Sequence, residues 1–284
     1  MVVPGVSFAD ANASLEDGRY IIIGIPFDRT ASFRSGARFA PNAIREASYN
    51  FETYLFEHDV DILDIPMYDM GNMEEFGTVD EMVENARSEI SSLVSRGKFP
   101  IIIGGEHSIT IPAVESYEKV GVISIDAHLD FRQEYLGEKN SHACVTRRMT
   151  DHVGLKNVAI LGVRSMSSEE TRDDTPEFID AFTIREKGIE WAVKKALDMV
   201  HRDNIYLTLD IDGIDPAYAP GTGTPEPFGL TDLDIKKCID LLAPRLVGFD
   251  VVEVCPPYDS GNTAALAARL IREVIATTWK AGRV

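Results

Sequence analysis

Short apolar runs rich in β-branched residues alternate along the chain with segments of helical period. The apolar runs predict strands at residues 20–25, 100–103, 121–125, 158–163, 205–210 and 246–254. Apolar residues that recur every three or four positions predict amphipathic helices at 80–95, 186–200 and 262–279. Because strands that alternate with helices form βαβ units, the pattern predicts a parallel sheet. Runs that are apolar at nearly every position predict helices on both faces of that sheet.

The chain shows no internal boundary. No low-complexity stretch, long Gly/Ser linker or internal repeat divides the 284 residues, and a chain of this length can bury a large core without disulfides. We therefore predict a single domain over residues 1–284. Residues 130–148 and the proline-rich residues 212–229 are predicted to be long loops. In open α/β sheets such loops gather beyond the carboxyl ends of the strands, where ligands bind.

The charge balance and the cysteines restrict the partners and the location. The net charge is −18, from 28 basic against 46 acidic side chains, which argues against nucleic acid as a partner. It is compatible with a cationic substrate, although solubility is the commoner explanation. No apolar run approaches the roughly 18 residues that span a bilayer, and residues 1–10 lack a signal-peptide pattern. Widely spaced cysteines without a Cys-x-x-Cys pair fit a reducing compartment, so we predict a cytoplasmic protein without a membrane partner.

Acidic residues and histidines follow three of the predicted strands directly. The candidate metal ligands are His107, Asp126, His128, Asp130, Asp210 and Asp212. Carboxylates with neutral imidazole suit manganese, iron and other borderline divalent ions. Four packed carboxylates would repel one another strongly, and two dications would supply the compensating charge. The pattern therefore predicts a site for two divalent metal ions.

Each cluster alone has a simpler explanation. A lone histidine such as His107 is more often a hydrogen-bonded core or loop residue. An Asp-x-Asp sequence after a strand, as at residues 210–212, often caps a helix or forms a turn. The metal interpretation rests on the conjunction of the clusters at the carboxyl ends of strands.

The joint pattern resembles the ureohydrolases, the manganese enzymes that include arginase and agmatinase. The motifs that carry the resemblance are residues 32–38, 40–45, 104–108, 126–130, 209–216, 219–225 and 250–254. They cover almost the whole chain, and their combination in this order is highly specific. The resemblance implies a three-layer α/β sandwich with a mainly parallel central sheet of about eight strands, as in arginases and deacetylases. Relatives are commonly trimers or hexamers, so a homo-oligomer is expected.

The resemblance also implies how two Mn²⁺ ions per chain would be held. One ion would be bound by His107, Asp126, Asp130 and Asp210, and the other by Asp126, His128, Asp210 and Asp212. Asp126 and Asp210 would therefore bridge the ions. A hydroxide between the two cations, available near neutral pH, would attack the central carbon of a guanidinium group. Asp130 would hold the hydroxide proton and pass it to the leaving amine.

Two further residues match catalytic positions of the family. Glu253 matches the carboxylate that accepts hydrogen bonds from the guanidinium, a planar group suited to a partner with two oxygens. Without the resemblance it could equally be a paired core acid. His142 matches a histidine of the substrate loop that would carry protons between bulk water and the metal site. Its simpler explanation is a surface loop histidine, and Ala143 stands where relatives usually carry glycine.

Urea release from a small cationic guanidino substrate is the implied chemistry, and agmatine is the favoured substrate, with putrescine as product. Residues 32–38 look most like agmatinases. Glu134 or Glu138 could face the distal amine of agmatine, whereas Arg132 could receive the carboxylate of arginine or 4-guanidinobutyrate. Polyamine biosynthesis and nitrogen salvage both stay open as the pathway. The other classes considered are a single-metal amide hydrolase and a catalytically silent regulator with the same fold.

Overall fold

The computed structural model describes residues 2–3, 6–170 and 175–283, which are built around one large sheet. The strands are β1 (Val2–Val3), β2 (Tyr20–Gly24), β3 (Tyr54–Leu55), β4 (Val60–Asp61), β5 (Met67–Met73), β6 (Phe99–Ile103), β7 (Gly121–Ile125), β8 (Val158–Val163), β9 (Glu177–Asp180), β10 (Ile205–Asp210) and β11 (Leu246–Val252). The order in the sheet is β1-β5-β2-β6-β11-β10-β7-β8-β9. All neighbours from β5 to β9 are parallel, and only the short β1 pairs antiparallel. This confirms the predicted mainly parallel sheet of about eight strands.

Helices cover both faces of this sheet. They are α1 (Ala40–Ser48), α2 (Val79–Ser95), α3 (Thr110–Glu115), α4 (Val145–Val153), α5 (Ala181–Lys187), α6 (Ile189–Met199), α7 (Asp232–Leu242) and α8 (Asn262–Lys280). One apolar core lies between the sheet and α1 with α5 to α8, and a second lies between the sheet and α2 to α4. The three predicted layers are therefore present.

The strand sequences follow from burial on both faces. In β6, Ile101 and Ile103 belong to the first core and Ile102 to the second, and every residue of the strand is buried. Side chains of a strand alternate between its two faces, so a strand covered on both sides is apolar throughout. This is why the central strands were recognisable in the sequence.

The segments that differ from the prediction have local causes. The helix predicted at 186–200 is divided at Gly188, whose φ of 87° ends α5 and precedes α6. The loop predicted at 130–148 ends earlier, because α4 begins at Val145. The outer strand β9 was missed, since only Ile179 of its four residues is fully buried and it lacks an apolar run.

Four neighbouring strands bring the predicted site together. β6, β11, β10 and β7 lie side by side and run parallel, so their carboxyl ends meet at one edge of the sheet. Ligand sites of open α/β sheets lie at this edge. None of the helices in the described residues has the length and apolar character to cross a membrane.

One close backbone approach beside this edge is testable. A Cβ added to Gly105 would lie 1.8 Å from the carbonyl oxygen of Phe27, which accepts a hydrogen bond from the backbone of Glu106. We expect Gly105→Ala to lower the free energy of unfolding by about 3 kcal/mol, because backbone must shift. Denaturant unfolding measures this. In the control Gly77→Ala, the added methyl meets only the flexible end of Glu81, and an equal loss there would contradict the explanation.

Candidate metal and active site

The six candidate ligands lie together at the carboxyl ends of three parallel strands. We call them the Asp–His cluster: His107, Asp126, His128, Asp130, Asp210 and Asp212. His107 follows β6, residues 126–130 follow β7, and Asp210 ends β10. Beyond β7 the chain leaves the regular strand, and the bridge between His128 and Ser165 is isolated.

His107 is the centre of the first ligand group. Its Nδ1 lies 3.2 Å from Oδ2 of Asp126, 3.3 Å from Oδ2 of Asp130 and 3.3 Å from Oδ2 of Asp210. Among the described residues, neither Nδ1 of His107 nor Oδ2 of Asp126 has a hydrogen-bond partner, although both are buried. A buried imidazole nitrogen and a carboxylate oxygen without hydrogen bonds, with two more carboxylate oxygens within 3.3 Å of that nitrogen, suit a divalent cation.

A second ligand group shares Asp126 with the first. Nδ1 of His128 lies 3.1 Å from Oδ2 of Asp212 and 3.7 Å from Oδ1 of Asp126. The ligand atoms of Asp126, His128 and Asp212 lie within 4.8 Å of one another. The same holds for the ligand atoms of His107, Asp126 and Asp130. Thr224 donates a hydrogen bond to Oδ2 of Asp212 over 2.9 Å. The arrangement therefore fits two adjacent divalent ions.

The electrostatics of the cluster favour added positive charge. Burial raises the pKa of Asp210 well above its usual range, and burial together with Asp126 raises the pKa of Asp130 to about 6. Burial alone would lower the pKa of His128, but the neighbouring aspartates raise it to about 11. The raised pKa values show that the crowded carboxylates repel one another and favour bound protons. Divalent cations would offset the same repulsion between carboxylates, so the cluster is suited to bind them.

A buried polar chain orients His107 from behind. Its Nε2 lies 3.2 Å from Oγ1 of Thr208, which lies 3.2 Å from Oγ1 of Thr110. Thr110 and Tyr206 donate hydrogen bonds to the buried carboxylate of Asp250, over 3.0 and 2.8 Å. Because Nε2 is engaged by this chain, Nδ1 is directed toward the aspartates. Asp250 lies in the family motif at residues 250–254, whereas Thr110, Tyr206 and Thr208 were not predicted as site residues.

Two of the predicted catalytic residues have unusual backbone conformations. Asp130 has a φ of 50° and Glu253 a φ of 61°, in the left-handed region that favours glycine. Such a conformation costs about 1–2 kcal/mol for an ordinary residue. Each residue lies beyond the end of a strand, where side chains no longer alternate between the two faces of the sheet. Strained backbone of this kind is concentrated at functional sites.

A cavity of about 350 Å³ lies above the Asp–His cluster. The predicted residues that line it are His128, Asp130, His142, Asp210, Asp212 and Glu253. Glu253 is 7% exposed, and its Oε1 accepts a hydrogen bond from the backbone N–H of His107 over 2.7 Å. Burial and the nearby Glu106 raise the pKa of Glu253 to about 8. The cavity therefore holds a carboxylate whose ionisation requires a cation beside it.

His142 reaches the cavity from the loop that precedes α4. Its Nδ1 lies 3.0 Å from Oγ1 of Thr30, and the ring of Tyr135 packs edge-on against it at 5.7 Å. Burial lowers the pKa of His142 to about 4. It is thus a partly buried residue held by hydrogen bonds and not a free surface histidine. Thr30 and the buried Glu106, to which it donates a hydrogen bond, were not predicted as site residues.

The lining of the cavity differs from the sequence-based proposal for the group that binds the distal end of the substrate. Arg132 lines the cavity, whereas Glu134 and Glu138 line neighbouring depressions. The guanidinium of Arg132 lies 3.8 Å from the carboxylate of Glu169. The buried Glu170 also lines the cavity and accepts hydrogen bonds from the backbone N–H groups of residues 131 and 167.

A third group of potential ligands lies apart from this cavity. Glu57, His58 and Glu273 have ligand atoms within 4.8 Å of one another. Arg269 pairs with Glu273 at 2.6 Å, and Lys236 lies 3.1 Å from Glu57. Because side-chain cations already compensate these carboxylates, the group is an ion-pair network between the β3–β4 turn, α7 and α8.

Comparison with known proteins identifies the family. The arginase family model matches residues 19–277. The agmatinase of Pyrococcus horikoshii is 35% identical over 273 residues, which are 92% of this chain and 92% of that protein. The N(1)-aminopropylagmatine ureohydrolase of Thermococcus kodakarensis is 35% identical over 94% of this chain and 93% of its own. The crystal structure of agmatine ureohydrolase of Thermoplasma volcanium has a TM-score of 0.94 at 42% identity and covers 98% of this chain and 96% of that one. The chain therefore belongs to the arginase family, as its motifs predicted.

Proposed function

We propose that this protein hydrolyses agmatine to putrescine and urea in the cavity above the Asp–His cluster. Its family and its relatives make it a ureohydrolase that acts on a guanidino C–N bond. The observation that carries the proposal is the position of Glu253 in one cavity with Asp130 and His142, beside two groups of metal-type ligands. Residues 1–284 are proposed to form one ureohydrolase domain.

The Asp–His cluster is proposed to hold two Mn²⁺ ions, although other divalent ions also suit its donors. One ion would be held by His107, Asp126, Asp130 and Asp210, and the other by Asp126, His128, Asp210 and Asp212. The unpaired His107 Nδ1 and Asp126 Oδ2 support this assignment. When bound, two divalent ions supply positive charge and lower the pKa of water, so that a nucleophile is available near neutral pH.

The residues around the cavity bind the substrate and move protons. The carboxylate of Glu253 would accept hydrogen bonds from the planar guanidinium and hold its central carbon against the cluster. Asp130, which shares the cavity, would receive the proton of the attacking water at a carboxylate oxygen and deliver it to the leaving amine. His142 would exchange protons with bulk water and restore the starting state.

The charged residues that line the cavity support agmatine over substrates with a distal carboxylate. Arg132 is the side chain that could receive a carboxylate, and Glu169 already lies beside it. Glu170 adds negative charge to the cavity wall, which favours a distal amine. The placement of Arg132 in the cavity keeps 4-guanidinobutyrate as the second candidate substrate. A single-metal amide hydrolase is disfavoured by the two ligand groups and by Glu253.

Four predictions from the sequence lie outside these observations. The cytoplasmic location, the lack of a nucleic-acid partner, the trimeric or hexameric assembly and the role in polyamine biosynthesis stay predictions.

Substrate choice is tested by incubating the Mn²⁺-loaded protein with agmatine, arginine or 4-guanidinobutyrate. We expect urea and putrescine from agmatine, with kcat/KM at least about tenfold above that for the other two, because the distal carboxylate meets Glu170. Urea and the amine product are measured together. Urea from none of the three would contradict the proposed function, and faster release from 4-guanidinobutyrate would reassign the substrate.

The bridging role of Asp210 is tested with two asparagine variants, which keep the size of the side chain and remove its charge. Asp210→Asn should weaken the binding of both metals by at least about tenfold, whereas Asp212→Asn should mainly weaken one. Metal bound per chain after dialysis gives the comparison. The exposed Asp198→Asn on α6 is the control and should bind as the original protein does. Small and equal effects at 210 and 212 would refute the assignment.

The guanidinium contact is tested by Glu253→Gln. The amide keeps the shape but loses the charge, so kcat/KM for agmatine should fall by roughly 10- to 100-fold, the value of a hydrogen bond to a charged group. Metal content should be unchanged, since Glu253 is not among the proposed ligands. Unchanged kinetics would show that another group binds the guanidinium.

A further inference from the structure

The hydroxyl of Thr30 joins the buried Glu106 and the partly buried His142, which lie far apart in the sequence. Its Oγ1 lies 2.6 Å from Oε1 of Glu106 and 3.0 Å from Nδ1 of His142. The same oxygen accepts a hydrogen bond from the backbone N–H of His142 over 3.0 Å. One side chain from the N-terminal segment therefore contacts both the ring and the backbone of the cavity histidine.

The direction of these hydrogen bonds follows from counting protons. Oε2 of Glu106 accepts from the backbone N–H of Thr30 over 2.7 Å, and Oε1 accepts from the hydroxyl of Ser108 over 2.6 Å. A carboxylate has only acceptor positions, and a threonine hydroxyl has a single proton. Three donors converge on this carboxylate and stabilise its charged form against the effect of burial, and hydrogen bonds to an ionised acceptor are the stronger ones. The hydroxyl proton of Thr30 therefore points to Glu106.

The remaining positions on the Thr30 oxygen are acceptors only. One takes the backbone N–H of His142, and the other faces Nδ1 of the same residue. If Nδ1 lacked a proton, two lone pairs would face each other at 3.0 Å. Ser141 Oγ lies farther from Nδ1, at 3.3 Å, and as a hydroxyl it can accept a hydrogen bond from a protonated Nδ1, whereas the Thr30 oxygen can only accept. The favourable arrangement has a proton on Nδ1.

We propose that Thr30 and Glu106 are positioning residues that hold His142 as the Nδ1–H tautomer, with Nε2 as the nitrogen that exchanges protons in the cavity. The inference rests on the proposed role of His142 in urea release. A neutral imidazole has one donor and one acceptor nitrogen, and the partner of one nitrogen decides the role of the other. Glu106 thus acts on the histidine through the threonine hydroxyl.

The kinetic test compares Thr30→Val with Thr30→Ser. Valine keeps the branched shape and removes the hydroxyl, so kcat for agmatine should fall roughly tenfold or more while metal content and KM stay nearly unchanged. Serine keeps the hydroxyl and should restore kcat to within about threefold. An unchanged kcat in Thr30→Val, or equal losses in both variants, would overturn the proposal.

A control separates the loss of this hydroxyl from the general effect of replacing a threonine near the cavity. Thr146 is buried in α4, next to the loop that carries His142, and its hydroxyl makes no hydrogen bond with any described residue. Thr146→Val should therefore retain kcat. If the original protein releases no urea, the proposed function fails, and the tautomer is then decided by spectroscopy alone.

The spectroscopic test reads the tautomer directly. Histidine-labelled ¹⁵N protein, loaded with diamagnetic Zn²⁺, should show a protonated Nδ1 and an unprotonated Nε2 for the signal that His142→Ala removes. In Glu106→Gln, the amide NH₂ would face the hydroxyls of Thr30 and Ser108, which frees the Thr30 proton to turn to Nδ1. The tautomer should then shift to Nε2–H. A protonated Nε2 in the original protein would refute the inference.

Discussion

The concentration of buried negative charge at one edge of the sheet is the constraint on which the site depends. Asp126, Asp130, Asp210 and Asp212 meet there because their strands are parallel and adjacent. Bringing these carboxylates together is unfavourable without cations, so the protein surrounds them with fixed donors and apolar layers. The rigid sheet holds them close despite the repulsion, and a site that attracts dications is the result.

The sequence predicted those parts of the site that local pattern encodes. Strands buried on both faces are apolar throughout, so the polar residues directly after them were conspicuous, and the family motifs supported Glu253. Thr30, Thr110 and Thr208 were missed because their importance lies in contacts between distant segments. Thr30 meets Glu106 across 76 residues and His142 across 112. The sequence around a single loop threonine gives no indication of such a contact. The outer strands were missed for the related reason that partial burial leaves no apolar run.

The distal end of the substrate is where sequence and structure differ in detail. In the sequence, Glu134 and Glu138 follow the ligand residues 126–130 and were expected to face the distal amine of the substrate. In the structure they line depressions beside the cavity. Glu170, from the loop after β8, lines the cavity instead. Which of several nearby acids faces a cavity depends on the path of the loop. Loop paths are set by tertiary contacts such as the bonds from Glu170 to backbone N–H groups.

The left-handed backbone at Asp130 and Glu253 has a consequence for the evolution and engineering of this chain. Glycine would adopt both conformations without steric cost, so the backbone strain would be relieved by losing the very side chains that we propose perform the reaction. Selection for thermal stability alone would therefore favour glycine at these two positions, and the resulting proteins would be inactive. At these two positions activity and stability favour different residues. Asp130 and Glu253 should therefore be left unchanged when the protein is stabilised by mutation.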